Sequence, residues 1–376
     1  MKIIINAFQY APIITGTDRM AHNFLLELQE IDSDSRYLVV CSNEEYNRSA
    51  ITNKNFKVIA PFKVPGSRHL QRIYNKLWRI LLPVRLKLLS ADCYFSFHNM
   101  SLPPISVAKR MLVFNLDLIP VVISGYESIH GKSKEELLED YKKVAERADH
   151  FISISEFSKQ ELCKELGILP EKVSVVHLAI NPDFTKNTDI SDSQIVPSSY
   201  FLTIGGTEPR KNVETVVEAF SRLPEKTQID NPLVIIGGEW HGISLDKFKN
   251  QPNVICLGYV KEQDLPGLYK HAKGFIFASK YEGFGFTILE AMANSVPVIS
   301  SNSSSLAEVA GESALLFNAN DVEQLVKHMQ SLMGDPTLSQ RLIKLGEERV
   351  KKFSWKASTQ KLYSIIMNDN SLEQGL

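Results

Sequence analysis

Short apolar runs alternate with helical stretches along both halves of this 376-residue chain, and this alternation restricts the fold more than any other feature. Apolar runs of this length are typical of strands buried on both faces, and helices between them favour parallel pairing. The sequence therefore predicts an α/β protein with two doubly wound, Rossmann-like domains that face a cleft. The runs are KIIINAF, YLVVCS, FKVIAP, CYFSF, RMLVFNL, HFISIS and VSVVHLA, then YFLTIGG, PLVIIGG, NVICLGY, GFIFAS and PVISS.

A polar, turn-prone stretch, DISDSQIVPSS, separates the two sets of runs and begins at Asp189. We therefore expect a first domain over residues 1–194 and a second over residues 195–353. The chain is long enough for two domains that each bury their own core. Ligands of doubly wound sheets bind at the carboxyl ends of the strands, so the loops that follow the strands are expected to carry the function.

Charge and hydropathy exclude several classes of partner. The formal net charge is −1, so global electrostatics give no reason to expect nucleic acid. No apolar run reaches the 18 residues or so that a membrane-spanning helix needs. The apolar start, MKIIINAFQY, lacks a small-residue cleavage site, so it predicts a first strand rather than a signal peptide. We expect a cytoplasmic protein.

The segment from Tyr281 to Ser300, YEGFGFTILEAMANSVPVIS, is the most informative about function. It follows a predicted strand, passes through a glycine-rich turn and enters a helical pattern at Thr287–Asn294. A helix that begins after such a turn presents N–H groups and a positive dipole to an anion. Glu282 and Glu290 add acceptors for hydroxyl groups, which suits a nucleotide sugar. The alternative is a solvated loop glutamate and a glutamate that merely stabilises the helix.

The loop GGTEPRKN, which follows the run YFLTI, has a composition that suits a diphosphate. Gly205 and Gly206 permit a tight turn, and Arg210 and Lys211 lie where the next helix is predicted to begin. Two cations beside a helix N-terminus can clamp a diphosphate. The alternative is an ordinary pair of basic surface residues.

A further glycine lies in the opening loop, before the helical segment MAHNFLLEL. Gly16 would let the backbone there approach a ligand held across the cleft, because glycine has no side chain to obstruct the approach. The alternative is an ordinary loop between a strand and a helix.

Four segments together resemble glycosyltransferase family 4, a retaining, nucleotide-sugar-dependent class with the GT-B architecture. The resemblance covers nearly the whole chain, is densest from about residue 200 to 320, and is strongest to the mannosyltransferase-like branch that builds bacterial surface polysaccharides. The segments are EPRKN (Glu208–Asn212), SISEFSKQEL (Ser153–Leu162), EGFGFTILEAMA (Glu282–Ala293) with PVISSNSSSLAEVAG behind it, and FSW (Phe353–Trp355).

The resemblance implies a role for each matching position. As catalytic residues, Arg210 and Lys211 would neutralise the donor diphosphate and Glu282 would hold sugar hydroxyls. Glu290 would accept hydrogen bonds from the ribose hydroxyls of the donor. With Gly16, the other donor-binding positions would be Tyr259 and Val260 at the nucleobase, and Phe284, Gly285, Phe286 and Thr287 beside the sugar and phosphates.

The resemblance also implies the reaction and its co-substrate. The donor would be a nucleoside diphosphate sugar of the GDP or UDP type, and no cofactor or metal would be needed. The diphosphate would leave from the face that the acceptor attacks, with a phosphate oxygen taking the acceptor proton. A C-terminal helix of about 354–376 would cross back to the first domain. The DxD sequence at Asp32–Asp34 follows a helix and precedes a strand, so it lies at the wrong edge for a metal–diphosphate site.

One position departs from the family pattern. Members of this branch usually place a His immediately before the Asp of the sequence that here reads LDLIP, and this chain has Leu116 there. His98 and Asn99, after the run CYFSF, are candidates to replace it. Together with Asp117 they are candidate ligands of the acceptor or donor sugar, although a single His at a strand end is often structural.

A basic segment runs from Pro61 to Ala91, with seven Lys or Arg residues and no acid. Apolar residues recur at helical spacing among the cations, at Leu70, Ile73, Leu77 and Leu81. A basic amphipathic helix can lie on anionic lipid, which would place the protein at the inner face of the membrane. The alternative is a core-facing helix with a solvated second side, whose length Pro83 interrupts.

We therefore expect a retaining glycosyltransferase that moves a hexose, mannose-like, onto a glycan or lipid-linked acceptor in surface polysaccharide synthesis. The leading alternative is a catalytically inactive homologue that binds an active transferase, which Leu116 would explain. A dinucleotide-dependent oxidoreductase is disfavoured because no G-x-G-x-x-G sequence opens the first helix.

Overall fold

The computed structural model of the protein describes residues 1–7, 16–41, 51–60, 68–126, 131–185 and 196–368. Two compact units divide the chain. The first contains Met1–Leu178 and the helix Trp355–Met367, and the second is Ala179–Ser354. The predicted boundary between residues 194 and 195 lies at the edge of a stretch outside the described residues, as does most of the opening loop before Gly16.

A parallel sheet of seven strands forms the centre of the first unit, in the order β3-β2-β1-β4-β5-β6-β7. The order runs in one direction from β1 to β3 and in the other from β4 to β7, which is the doubly wound arrangement. The strands are β1 Lys2–Ala7, β2 Arg36–Cys41, β3 Phe56–Ile59, β4 Ala91–Ser96, β5 Ala108–Asn115, β6 His150–Ser153 and β7 Val173–Val175.

The second unit repeats the pattern with a parallel sheet in the order β10-β9-β8-β11-β12-β13. Its winding reverses between β8 and β11, so a crevice for a ligand is expected beyond the carboxyl ends of these two strands. The strands are β8 Phe201–Ile204, β9 Leu233–Ile236, β10 Val254–Gly258, β11 Gly274–Phe277, β12 Val298–Ser301 and β13 Ala314–Phe317.

Helices connect the strands and cover both sheets. In the first unit they are α1 Gly16–Ile31, α2 Arg68–Lys87, α3 Ile119–Val122, α4 Lys134–Ala145 and α5 Glu156–Leu166. In the second unit they are α6 Val213–Ser221, α7 Glu225–Asp230, α8 Asp246–Lys249, α9 Leu265–Lys270, α10 Phe286–Ala293, α11 Leu306–Ala310, α12 Val322–Gly334 and α13 Pro336–Val350. Helix α14 is Trp355–Met367, and it packs in the first unit.

Helix α14 is fixed to the first unit by aromatic and polar contacts. Trp355, at its first turn, packs edge-on against Phe24 of α1 with ring centroids 5.2 Å apart. At its other end, the Arg110 guanidinium donates hydrogen bonds to the carbonyl oxygens of Ile365 and Ile366, both at 3.1 Å. Donation from a cation satisfies carbonyl groups of the last turn, which have no partner within the helix.

The twelve apolar runs in the sequence correspond to strands β1 to β12, and the prediction of two doubly wound α/β units is confirmed. Strand β13, Ala314–Phe317, was not predicted from the sequence. The expectation that Pro83 interrupts the basic helix is wrong, because α2 continues to Lys87. Pro83 and Leu86 are both buried, and this burial offsets the hydrogen bond that proline cannot donate.

The Asp32–Asp34 sequence forms the turn before β2, at the amino edge of the sheet. The Asp32 carboxylate accepts hydrogen bonds from the N–H groups of Asp34 and Ser35 and from the Tyr37 hydroxyl. Burial raises the pKa of Asp32, but these hydrogen bonds outweigh it and hold the pKa below its usual range. The contacts give this sequence a structural role in the turn.

The described part of the chain has neither a helix suited to crossing a membrane nor a cluster of metal ligands. Among the helices described, none combines the length and the apolar character that crossing a membrane requires. Within those same residues, no group of three or more His, Cys, Asp or Glu side chains is arranged to hold a metal ion.

Candidate active site

The predicted catalytic residues of the second unit meet at the carboxyl edge of its sheet. Three loops come together there, after β8 (residues 205–212), after β11 (residues 278–285) and after β12 (residues 302–305). These strands are neighbours in the sheet, and the winding reverses between β8 and β11. This is the place where doubly wound sheets bind their ligands.

The glycine turn after β8 depends on the absence of a side chain. Gly206 has φ +56°, and a Cβ atom there would lie 2.1 Å from the carbonyl oxygen of Gly238. The turn leads into a single 3₁₀ turn at Pro209–Lys211, which presents Arg210 and Lys211. Asn212 then adopts φ +57°, and its side-chain amide donates hydrogen bonds to the carbonyl oxygens of Ala278 and Ala319. This amide ties the cationic turn to the loop after β11.

Glu282 pairs with both cations. Its Oε1 lies 2.8 Å from the Lys211 ammonium and 2.8 Å from the Arg210 guanidinium. Arg210 also contacts Glu208 at 2.8 Å. The side chains of Arg210, Glu282 and Lys211 are only 10%, 13% and 17% exposed, so water screens their interactions weakly. The Ser279 hydroxyl donates a further hydrogen bond to Glu282 Oε1 at 2.6 Å.

The electrostatics of this cluster favour the charged forms of Glu282 and Arg210. Burial raises the pKa of Glu282, but the attraction of Lys211 and Arg210 and the hydrogen bonds from Lys211 and Ser279 outweigh it and lower the pKa below its usual range. Burial alone would lower the pKa of Arg210, but the carboxylates of Glu282 and Glu208 outweigh burial and raise the pKa above its usual range. The site therefore holds two cations that a single shared carboxylate keeps in place.

The glycine turn between Glu282 and α10 is held by two serines of the loop after β12. The Ser304 hydroxyl accepts a hydrogen bond from the N–H of Glu282 at 2.8 Å. The Ser305 hydroxyl donates a hydrogen bond to the carbonyl oxygen of Glu282, also at 2.8 Å. Gly285 has φ +130° and precedes the first residue of α10, Phe286. The turn thus presents the N-terminus of α10 at the same edge as the cations.

Glu290 lies one turn inside α10 and is buried, with 2% exposure. The hydroxyl of Tyr269, from α9, donates to Glu290 Oε2 at 3.2 Å and lies 3.4 Å from the carbonyl oxygen of Thr287. Tyr269 is itself fully buried and packs edge-on against Phe184 and Phe275. A rigid tyrosine therefore fixes the orientation of the carboxylate that is predicted to bind ribose.

We expect Tyr269→Phe to weaken the binding of a nucleoside diphosphate by up to about tenfold, the effect of losing one good hydrogen bond, because Glu290 would lose a donor that orients it. Calorimetric titration would measure the affinity. The binding of inorganic pyrophosphate, which has no ribose, should be unchanged. Tyr200→Phe is the matched control, since the Tyr200 hydroxyl is also buried but donates to the Leu268 carbonyl. Equal losses for both variants, or for both ligands, would remove Tyr269 from this role.

The remaining donor-binding positions lie around the same edge of the second sheet. Tyr259 follows β10 and is 77% exposed, whereas Val260 beside it is buried. The rings of Phe284 and Phe286 contact each other with centroids 5.5 Å apart, so the Phe284 side chain is used in packing and only its backbone can face a ligand. Their predicted roles at the nucleobase and the sugar stay predictions.

The candidate sugar ligands of the first unit line one polar cavity of about 740 Å³. The Asn99 amide accepts a hydrogen bond from the N–H of Leu116 at 2.9 Å and donates one to the carbonyl oxygen of Asp117 at 2.7 Å. Asn99 therefore shapes the loop after β5. The polar cavity is lined by Thr17, Asp18, His98, Asn99, Met100, Ser101, Leu116, Asp117, Ile119, Pro120, Tyr126, Leu137, Asp140, Tyr141 and Val144.

His98 and Leu116 both line this polar cavity, so an imidazole is available close to the position that departs from the family pattern. Burial lowers the pKa of His98, and the Asp18 carboxylate opposes this in part. The predicted replacement of the family His by His98 stays a prediction. Gly16 is the first residue of α1, directly before the cavity residues Thr17 and Asp18.

Sequence profiles of two families divide the chain between them. Residues 14–184 match the profile described as Glycosyltransferase Family 4, and residues 186–349 match that of Glycosyl transferases group 1. The chain belongs to the family 4 glycosyltransferases. This glycosyltransferase is similar to the O-antigen chain mannosyltransferase B of Escherichia coli, with 32% identity in an alignment of 219 residues that covers 55% of this chain. The match covers 58% of that relative, less than two thirds of its length.

Solved structures resemble the glycosyltransferase along its whole length. Sucrose-phosphate synthase from Thermosynechococcus elongatus has a TM-score of 0.73 at 18% identity, with 98% of each chain covered. HepE of Anabaena, in complex with UDP and glucose, has a TM-score of 0.71 at 14% identity, with 98% of this chain and 99% of that chain covered. This likeness shows the fold, and the prediction of the GT-B architecture is confirmed.

Reasoning from the sequence missed the polar residues that hold the site together. Glu282 is contacted by Ser279, Ser304 and Ser305, and Glu290 is contacted by Tyr269. Three of these residues are serines in loops, where serine is common for many reasons. Their only signal in the sequence is their position directly after strands β11 and β12.

Proposed function

We propose that this glycosyltransferase moves a hexose from a nucleoside diphosphate to a glycan or lipid-linked acceptor, with retention of the anomeric configuration. The observation that supports it most is the partly buried pair of cations, Arg210 and Lys211, which share the Glu282 carboxylate beside the glycine turn before α10. Two such cations and a helix N-terminus at one sheet edge suit a diphosphate.

The leaving diphosphate is the group that these cations would stabilise. Negative charge develops on it as the bond to the sugar breaks, and fixed cations in a poorly hydrated site stabilise such charge strongly. Lys211 is the better candidate for direct contact, because the Arg210 guanidinium already donates to Glu208, to Glu282 and to the carbonyl oxygen of Tyr281. Arg210 would then position both the carboxylate and the turn.

Glu282 would bind the transferred sugar. The hydrogen bonds from Lys211 and Ser279 and the contact with Arg210 all converge on Oε1, so Oε2 keeps its capacity to accept from a sugar hydroxyl. Glu290, held by Tyr269, would accept from the ribose hydroxyls. A phosphate oxygen of the donor would take the acceptor proton, so no protein base is required.

We propose mannose as the hexose, because the Escherichia coli relative is named an O-antigen chain mannosyltransferase. The nucleotide is not assigned, although HepE binds UDP in its structure. A thermal-shift screen of GDP-mannose, UDP-glucose and other nucleotide sugars tests the proposal. We expect one nucleoside diphosphate and its sugar to raise the melting temperature and its monophosphate to do so much less. No shift with any of them would contradict the proposal.

The inactive-partner alternative is not favoured. An inactive homologue would have no need for this partly buried cluster of ion pairs, and removing charges from water costs stability. Lys211, Glu282 and Glu290 are all present and positioned at one sheet edge. The departure at Leu116 concerns the first unit and leaves this cluster unchanged.

Helix α2 supports peripheral contact of the protein with an anionic membrane. Its described apolar residues include Leu77, Ile80, Leu81 and Val84, which are 51% to 61% exposed, with Leu88 just beyond the helix at 79%. These residues share one face, at spacings of three and four. The whole helix contains six Lys or Arg residues and no acid, so anionic lipid would complement it.

We expect the protein to bind vesicles that contain anionic lipid, with an affinity that falls steeply as salt rises from low to about physiological strength, because exposed charges are screened. Flotation with vesicles of phosphatidylglycerol and phosphatidylcholine would measure it. The double variant Leu77→Gln/Leu81→Gln should bind at least about tenfold more weakly, since each exposed leucine can bury a side chain's worth of apolar surface. Membrane contact through α2 would be contradicted if the unchanged protein did not bind the vesicles at low salt. It would also be contradicted if the variant bound as tightly as the unchanged protein.

A further inference from the structure

An apolar cavity of about 340 Å³ lies at the carboxyl edge of the first sheet, beneath the second half of α2. Helix α2 supplies one wall with Leu82, Pro83 and Leu86, and the segment after β4 supplies another with Leu102, Pro103 and Pro104. Protein interiors are packed so closely that voids larger than a water molecule are few. A cavity of this size falls in the range of small-molecule sites.

The apolar cavity adjoins the polar cavity. His98 and Ser101 line both, so the apolar cavity and the polar cavity lie side by side at these two residues. The polar end presents the side chains of Asp18 and Asp117, which are acceptors suited to sugar hydroxyls. The combined space therefore matches a molecule with an uncharged sugar at one end and a hydrocarbon chain at the other.

The position of α2 defines where such a chain would come from. The helix lines the apolar cavity with its buried face and exposes Leu81 and Val84 on its other face. The exposed apolar residues of α2 and the apolar cavity thus lie on two faces of the same helix. A soluble sugar acceptor would leave the apolar end of this space without a function.

We propose that the apolar cavity binds the alkyl or prenyl chain of a glycolipid acceptor whose sugar lies in the polar cavity. This assignment rests on the proposed glycosyl transfer and specifies its acceptor. His98 lies at the junction of the two cavities, where the sugar joins the chain. The cavity thereby gives a sugar that carries an apolar aglycone a higher affinity than the same sugar without an aglycone.

The test is a calorimetric titration of the full-length protein with methyl, butyl and octyl α-D-mannopyranoside. Each methylene that enters the cavity should tighten binding by up to about fourfold until the chain fills the space. Leu82→Trp and Leu102→Trp, which obstruct the cavity from opposite walls, should each remove this dependence on chain length. Leu169→Trp is the control, because Leu169 is an exposed leucine of the same unit that lines neither cavity and should leave the dependence intact.

Affinity that does not rise with chain length would overturn the assignment. So would a rise that survives both cavity variants, since the chain would then adsorb to the exposed face of α2. Titration of the same samples with a nucleoside diphosphate keeps this result separate from the proposed function. Circular dichroism shows whether each variant is folded, and a failure of nucleotide binding alone would count against glycosyl transfer but not against the apolar site.

Discussion

Lys211→Ala should weaken nucleoside diphosphate binding by about 10- to 150-fold, which corresponds to the 1.5 to 3 kcal/mol of a charge-assisted hydrogen bond. Turnover should fall as well, because the charge on the leaving diphosphate is greatest in the transition state. Folding should survive, since Glu282 keeps its contacts with Arg210 and Ser279. Calorimetry and steady-state kinetics would measure the two effects.

Lys247→Ala is the matched control for this variant. Lys247 also pairs with a carboxylate, Glu214, and also lies over an aromatic ring, that of Phe248 at 4.8 Å. Lys211 lies over Phe277 at 5.1 Å, so the two lysines make similar contacts, but Lys247 is on the surface. Unchanged nucleotide affinity in Lys211→Ala, or an equal loss in Lys247→Ala, would remove Lys211 from the site.

Glu282→Gln should lower transfer strongly and lower the stability of the protein by about 1.5 to 3 kcal/mol, because two adjacent and largely buried cations would lose a charged partner. The same change should strengthen the binding of inorganic pyrophosphate, since the anion would no longer compete with Glu282 for Lys211. Thermal unfolding and calorimetry would measure the two opposite effects. Weaker pyrophosphate binding in the variant would contradict a diphosphate clamp at Arg210 and Lys211.

The pH dependence of stability gives a second measure of the same cluster. The pKa of Glu282 is lowered in the folded protein, so the stability that its charge contributes is present above the ordinary glutamate pKa and is lost as the pH falls through the lowered value. Glu282→Gln should therefore flatten the acid side of the stability profile. Glu208→Gln is the control, because the Glu208 carboxylate pairs with Arg210 whereas that of Glu282 pairs with both cations, and its effect on transfer should be smaller.

The fold could be predicted from the sequence because its determinants are local. A parallel strand that is buried on both faces gives a continuous apolar run, and runs such as GFIFAS can be recognised without knowledge of their neighbours. Local reasoning failed where distant packing decided the outcome. Burial of Pro83 and Leu86 keeps α2 helical despite the proline, and no feature near Pro83 in the sequence indicates this.

The site could be predicted only in part, for a related reason. The positions of Arg210, Lys211 and Glu282 after their strands indicated that they meet at one edge. In the structure, one carboxylate oxygen of Glu282 contacts both cations. Lys211 and Glu282 are 71 positions apart in the sequence, and their spacing alone does not reveal this contact. The support of Glu290 by Tyr269, from a different helix, is hidden in the same way.

The anomeric configuration of the product tests the central claim most directly. Purified protein would be incubated with octyl α-D-mannopyranoside and, in parallel, with GDP-α-D-mannose and UDP-α-D-glucose, and the product would be analysed by NMR. We expect one of the two donors to give a product whose new linkage is α, with one nucleoside diphosphate released for each product molecule. We expect Lys211→Ala to suppress both the release of the diphosphate and the formation of the product. A β-linked product, or no transfer from either donor, would contradict a retaining glycosyltransferase built around the Arg210, Lys211 and Glu282 cluster.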